Sequence, residues 1–234
     1  PNPAVFVKHL QKEGYHPRSN KHSNAISEAI AKDLVTYCPR IREKAAAGLI
    51  VYDLNFTLMA GTSEWNVDLV IGSPEIGSPQ PASEILRQRP SSVEIAIEIK
   101  SVMTEHRKAV KNRKRDLEAH HEHVHNYNPK TIAGGVLIIN ASESFKSPLR
   151  RGITRHKHPR ELVKHCINEL RSVSEPHGPI RYGLDARCAI VVVHDNIVRN
   201  SSRYMIAAPA PAVGDPLHYD AFIQSIWSEY TARF

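Results

Sequence analysis

The nine residues Ser92-Val93-Glu94-Ile95-Ala96-Ile97-Glu98-Ile99-Lys100 constrain the fold more than any other stretch of this chain. They alternate with a period of two, the repeat of a β-strand with unlike faces. Ile95, Ile97 and Ile99 make one face and require a core. Glu94, Glu98 and Lys100 make the other, setting two carboxylates and an amine in one row. Glu98 and Lys100, two residues apart, project from the same side and can share a metal ion or a water molecule. A surface strand could also carry such charges in solvent. The row acquires meaning only from what the rest of the chain sets beside it.

Isoleucines on a strand face need covering, and the chain offers helices to do it. Ala4–Glu13 has a weak apolar stripe of Val5, Phe6 and Leu10 that stops at Gly14. Ser23 or Asn24 can cap a helix running to about Tyr37, with Ile26, Ile30, Leu34 and Tyr37 as its buried stripe and Pro39 as its stop. Glu28 lies off that stripe beside Ala31 and Val35, either solvated or turned into a site. Residues 49–60 and 65–72 read as a hairpin turning at Gly61. Pro74, Pro79, Pro81 and Pro90 make residues 73–92 a surface excursion. Thr104 can cap a long helix over residues 105–127, ended by Pro129. Residues 132–141 and 187–194 are largely apolar, as in strands buried on both faces. Between them lie a basic loop, 142–158, and an amphipathic helix, 159–173, with Leu162, Val163, Cys166, Ile167 and Leu170 as its stripe. Residues 204–208 can form one more strand. Asp215 and Pro216 suit the N-cap and first turn of a closing helix. Its apolar positions Tyr219, Phe222, Ile223, Ile226, Trp227 and Tyr230 read as core or dimer contact. This order predicts an α/β fold, a mixed β-sheet flanked by helices, in which an antiparallel meander is extended by parallel strands.

At 234 residues the chain suits a single domain with a substantial core. Its formal charge of +7, with 14 histidines and a pI near 9.4, favours a polyanionic partner, nucleic acid before an anionic membrane. No apolar run approaches the roughly 20 residues of a spanning helix. The opening Pro1-Asn2-Pro3 does not resemble a secretory leader. Cys38, Cys166 and Cys188 are odd in number and set among apolar neighbours. They read as reduced core thiols, and a cytoplasmic protein is expected.

Asp68, between Val67 and Leu69, is a carboxylate in the middle of an apolar strand and is costly without a partner. With Glu98 and Lys100 it forms a pattern, two neighbouring strands each bringing a carboxylate and the second adding an amine. Paired carboxylates suit Mg²⁺, completed by water and a substrate phosphate. Such a cation lowers the pKa of bound water and offsets charge on a phosphorane-like transition state. Lys100 could orient or deprotonate that water.

On Asp68 in Trp-Asn-Val-Asp-Leu-Val and on Glu98-Ile99-Lys100, within a helix–three-strand–helix–strand succession over about residues 24–142, the chain resembles the PD-(D/E)xK nuclease superfamily, which includes many restriction endonucleases. The resemblance implies a restriction endonuclease-like core and hydrolysis of DNA phosphodiester bonds. It implies Mg²⁺, for which Mn²⁺ can substitute, at Asp68, Glu98 and Ile99, with Lys100 assisting the attacking water. An acid on the preceding helix often helps in that superfamily, and Glu28 would take that place. No Pro precedes Asp68, a departure at a variable position. Residues 143–234 would extend the single domain with strands, DNA contacts or a dimer surface. A homodimer on double-stranded DNA would set one site on each strand.

The long helix places Arg107, Lys108, Lys111, Lys114 and Arg115 at three- and four-residue steps, a face able to hold phosphates without reading sequence. Arg150, Arg151 and Arg155, with Lys157, could add contacts, as could Arg18, Lys21 and His22. The same residues support a different class, a non-catalytic basic DNA-binding module. A third reading, a zinc-dependent hydrolase, rests on His121 and His125 at i and i+4, which lack a third ligand at usable spacing. For His120, His121, His123 and His125, packing under the sheet or contact with phosphate is the stronger expectation. RNA as substrate stays open, and the recognition sequence is not legible.

Overall fold

Strands without a polar face can only exist where both of their sides are covered, and this sets the architecture. The computed structural model describes residues 3–75, 84–173 and 183–234, so Pro79 and Pro81 of the proline-rich excursion lie outside it. Its strands are β1 (Val51–Ala60), β2 (Ser63–Gly72), β3 (Leu86–Arg87), β4 (Ile95–Val102), β5 (Ile132–Asn140), β6 (Ser144–Phe145), β7 (Thr154–Arg155), β8 (Ala186–Val193) and β9 (Arg203–Tyr204). The helices are α1 (Ala4–Glu13), α2 (Lys21–Tyr37), α3 (Pro39–Ala46), α4 (His106–Tyr127), α5 (Pro159–Arg171) and α6 (Tyr219–Arg233). Seven strands form one mixed sheet in the order β3-β1-β2-β4-β5-β8-β9, and β6 pairs with β7 alone. β1, β2 and β4 are antiparallel neighbours, whereas β4, β5 and β8 run parallel. This is the expected α/β fold with a mixed sheet between helices.

The two faces of the sheet carry separate cores. On one, Ile95, Ile97 and Ile99 meet Ile26, Ile30 and Leu34 of α2 and Phe222, Ile226 and Tyr230 of α6. On the other, Ala96, Leu137 and Val191 meet Val110, Leu117 and Val124 of α4 and Val163 and Cys166 of α5. Each such aliphatic side chain contributes about 1.5–3 kcal/mol on burial. β8 and α6 sit in this same sheet and core, so residues after 142 complete the domain from within. All three cysteines are buried and unpaired, as core thiols should be. No helix among the described residues is long and apolar enough to cross a membrane.

Several boundaries differ from the sequence reading. Pro39 closes α2 but also opens α3, because Cys38 turns extended and Pro then occupies the first helical position, where its missing N–H costs nothing. Tyr37, expected in the buried stripe, is 48% exposed at the end of α2. Thr104 does not cap α4; Glu105 stands at that position with φ 51°, and the Thr104 hydroxyl meets His156 instead. Asp215 accepts from the Leu217 N–H and pairs with Arg171, and α6 begins only after His218, whose ring accepts from the Asp220 N–H. Trp227 is 41% exposed, apart from the buried stripe of its helix.

Two further buried carboxylates are satisfied in part by α6, Asp185 through the charge of Arg233 and Glu94 through the neutral Tyr230 hydroxyl. Asp185 accepts from the Ala133 N–H at 2.8 Å, lies 3.3 Å from His125 Nε2 and pairs with Arg233. Burial alone would raise its pKa, but these donors together hold it below the usual carboxylate value. Glu94 receives Ser73 Oγ at 2.9 Å, Lys44 Nζ at 3.4 Å and the Tyr230 hydroxyl. The row Glu94–Glu98–Lys100 is therefore broken at its first member, which precedes β4 and belongs to the α3–α6 side. Removing one partner of a buried pair leaves an uncompensated charge. Arg233→Ala is expected to destabilise the fold by about 3–5 kcal/mol in denaturant unfolding, and a loss below about 1 kcal/mol would contradict this role.

Candidate active site

β1 and β2 pair from Val51↔Gly72 to Ala60↔Ser63 except where Asn55 would face Asp68. There the chain kinks, with Asn55 at φ 53°. Leu54 and Phe56, two residues apart, consequently pack into opposite cores. The β2–β4 ladder covers Leu69↔Ile97 to Ile71↔Ile95 and stops at the same level. The Ile99 N–H beyond its end is taken up by Asp68 Oδ2 at 2.8 Å. In an extended strand the N–H and C=O of one residue point to the same edge, so the Ile99 carbonyl also faces this gap. The start of α2 is tied to the kink by Asn55 Nδ2 donating to Asn24 Oδ1 at 2.9 Å.

Asp68, Glu98 and Lys100 converge here as the sequence predicts. Glu98 is 3% exposed, and its Oε1 pairs with Lys100 Nζ. Its Oε2 is buried with no hydrogen-bond partner among the described residues. Burial first, and then the Asp68 charge, push the Glu98 carboxyl up to about 7 against the pull of Lys100. Burial also raises Asp68, opposed by the Ile99 N–H, Lys100 and the Ser23 hydroxyl. Two repelling carboxylates with an unfilled acceptor oxygen fit a cation. Asp68, Glu98 and the Ile99 carbonyl are the groups that would hold it. Oxygen donors of this kind suit a hard cation, although among the described residues no three His, Cys, Asp or Glu side chains converge as metal ligands.

A cleft of about 330 Å³ opens over Asp68, Ile99 and Lys100, with Glu98 buried behind them, and is lined among others by Tyr15, His22, Ser23, Arg113 and Phe145. Tyr15 is held by its backbone, its N–H donating to Asn196 Oδ1 at 2.9 Å and its carbonyl accepting from Asn196 Nδ2 at 3.1 Å. Gly14 makes this approach possible: φ is 73°, and a Cβ would stand 2.9 Å from Asn196 Oδ1. Burial holds the Tyr15 phenol above its usual pKa and drives His22 down to about 4, so His22 is neutral near pH 7 and does not serve as a phosphate cation.

Other sequence-predicted residues lie elsewhere. Glu28 is not in the cleft; it approaches Arg87 Nη1 at 4.0 Å. The α2 residue that meets Asp68 is Ser23, five positions earlier. Of the α4 cations, Arg107 and Lys108 line a second cleft, Lys114 donates to Ser172 Oγ at 2.8 Å, and Lys111 and Arg115 are exposed. The cation in the carboxylate cleft is Arg113, on the opposite flank of α4 and bonded to Asp116 at 2.7 Å. Arg150 pairs with Glu105 at 2.6 Å, Arg151 is exposed, and Arg155 joins the second cleft.

The histidines are structural neighbours. His120 receives the Trp65 indole N–H at 3.3 Å and approaches the Ala96 carbonyl at 3.2 Å. His121 accepts from the Gly183 N–H at 3.1 Å, and His123 stacks on Trp65. No family model, curated protein or solved structure matches the chain.

Because Glu98 keeps its proton to a higher pH when folded than when unfolded, its burial costs nothing below about pH 4.5 and weakens the fold as pH rises to about 7. Glu98→Gln should therefore gain about 3 kcal/mol on the parent between pH 4 and pH 8, read by urea unfolding; a gap that does not change with pH would contradict it. Asn196→Ala should lose about 1–3 kcal/mol through the freed Tyr15 backbone, measured in the same way.

Proposed function

We propose that this chain is a Mg²⁺-dependent endonuclease that hydrolyses DNA phosphodiester bonds, of the type II restriction kind, built on a restriction endonuclease-like core. The observation that carries the reading is the convergence of Asp68, Glu98 and Lys100 at the parting of β2 and β4, with Glu98 Oε2 unpartnered. A fold does not retain two mutually repelling buried carboxylates for stability, and sites that bind cations and phosphates are where such costs are found. When bound, Mg²⁺ supplies an acidified water and neutralises charge on the phosphoryl oxygens. Within the chain, Asp68 and Glu98 hold that charge, and Lys100, already against Glu98, orients the attacking water. Arg113 stands where a phosphate entering the cleft would meet a guanidinium. Duplex DNA as substrate and a homodimer with one site per strand belong to the same proposal, the net charge of +7 supporting the first.

The alternative of a basic module that only binds DNA leaves the raised carboxylates without a role. The zinc hydrolase reading has no third ligand beside His121 and His125, since among the described residues no three His, Cys, Asp or Glu side chains converge. Incubation with mixed duplex DNA and Mg²⁺ should yield fragments that EDTA prevents. Asp68→Asn, Glu98→Gln and Lys100→Ala should each lower cleavage by about 100-fold or more while retaining most DNA affinity. Shifted but intact DNA would select the binding module, and cleavage surviving in all three variants would exclude this site.

A further inference from the structure

The start of α4 separates two clefts. Met103 and Thr104 line the one over Asp68, and Glu105 and His106 line a second of about 860 Å³. Four cations face this second space: Arg107 and Lys108 from the first turn of α4, Arg155 from β7 and Lys157 after it. None of the four makes an ion pair among the described residues, and an unpaired set of like charges on one concave wall attracts anions. The two acids on the wall are already taken. Glu105 is held by Arg150 at 2.6 Å and Glu161 by Lys164 at 2.8 Å, and these partners keep both carboxyls below their usual pKa. α4 and α5 both begin here without a side-chain cap, so their positive ends add to the field.

The size and the remaining wall limit the ligand. A lone phosphate would leave most of the space empty, whereas clefts of this volume take compact organic molecules. Leu162 and the ring of His156 give an apolar surface. His156 is fixed by the Ser142 carbonyl at 2.7 Å and Thr104 Oγ1 at 3.3 Å, so that surface is preformed.

We propose that this second cleft binds a nucleoside phosphate, its phosphate against Arg107, Lys108, Arg155 and Lys157 and its base and sugar against Leu162 and His156. The ligand has two possible sources, a nucleotide unit of a bound nucleic acid turned out of its stack, or a free nucleotide. Only the first rests on the nuclease reading.

Calorimetry on the full chain in EDTA, with deoxyadenosine 5′-monophosphate and with deoxyadenosine, tests the site. The monophosphate should bind, deoxyadenosine about tenfold or more weakly. The double variant Arg155→Ala/Lys157→Ala should lose about tenfold or more in monophosphate affinity, and Arg113→Ala, in the neighbouring cleft, should change it little. Failure of the parent to bind, equal affinity in the double variant, or loss on Arg113→Ala alone would each overturn the assignment. Competition with a fluorescent duplex separates the sources: displacement by the monophosphate assigns the cleft to nucleic acid, and simultaneous binding assigns it to a free nucleotide. Because no cleavage is read, an inactive protein that binds the monophosphate overturns the nuclease reading alone, and an active one that does not bind it overturns this inference alone.

Discussion

One hydrogen bond sets where the candidate site lies. At the level where the β2–β4 ladder ends, the Ile99 N–H would face a dry gap, and Asp68 supplies the acceptor that the neighbouring strand no longer provides. The carboxylate thus continues the sheet with a side chain. That substitution lets the two strands diverge, opens the space lined by Tyr15 and Arg113, and sets the Asp68 charge beside Glu98. The kink at Asn55 and its tie to Asn24 bring the start of α2 to the same point. A single irregularity shared by β1 and β2 therefore organises elements from both ends of the domain.

The arrangement works against stability. Desolvation raises both carboxyls and the Asp68 charge raises Glu98 further, opposed by Lys100, the Ser23 hydroxyl and the backbone N–H groups of Ile99 and Asp68. Two other buried carboxylates are resolved differently. Asp185 and Glu94 each receive several donors and have no bare oxygen of the Glu98 kind. Among the buried carboxylate oxygens of the described residues, only Glu98 Oε2 lacks a donor, and an acceptor left bare in this way is a feature of binding sites.

Much of this was legible in the sequence where burial leaves a periodic trace. The isoleucine face of β4, the apolar runs of β5 and β8 and the stripe of α5 all follow from alternation and helical repeat. Asp68 announced itself as a charge between Val67 and Leu69. What failed was phase. α2 begins at Lys21, so Ser23 in its first turn meets Asp68 and Glu28, five residues on, turns away toward Arg87. Arg107, Lys108, Lys111, Lys114 and Arg115 do share one face, but Val110, Leu117 and Val124 set the inward side of α4 so that Arg113, outside that pattern, reaches the cleft. Gly14 and Asn196, 182 positions apart in the chain, hold Tyr15 through contacts of backbone and amide that leave no periodic mark. Their only signal was a glycine closing α1.

α6 carries a consequence for how the protein comes into being. Arg233 and Tyr230 are among the last described residues to be synthesised, yet they donate to carboxylates fixed just ahead of β8 and β4. A nascent chain that has completed the sheet but not this helix would hold Asp185 without its guanidinium beside an uncovered core face. Closure of the isoleucine face of the sheet therefore depends on the segment of the domain that the ribosome delivers last.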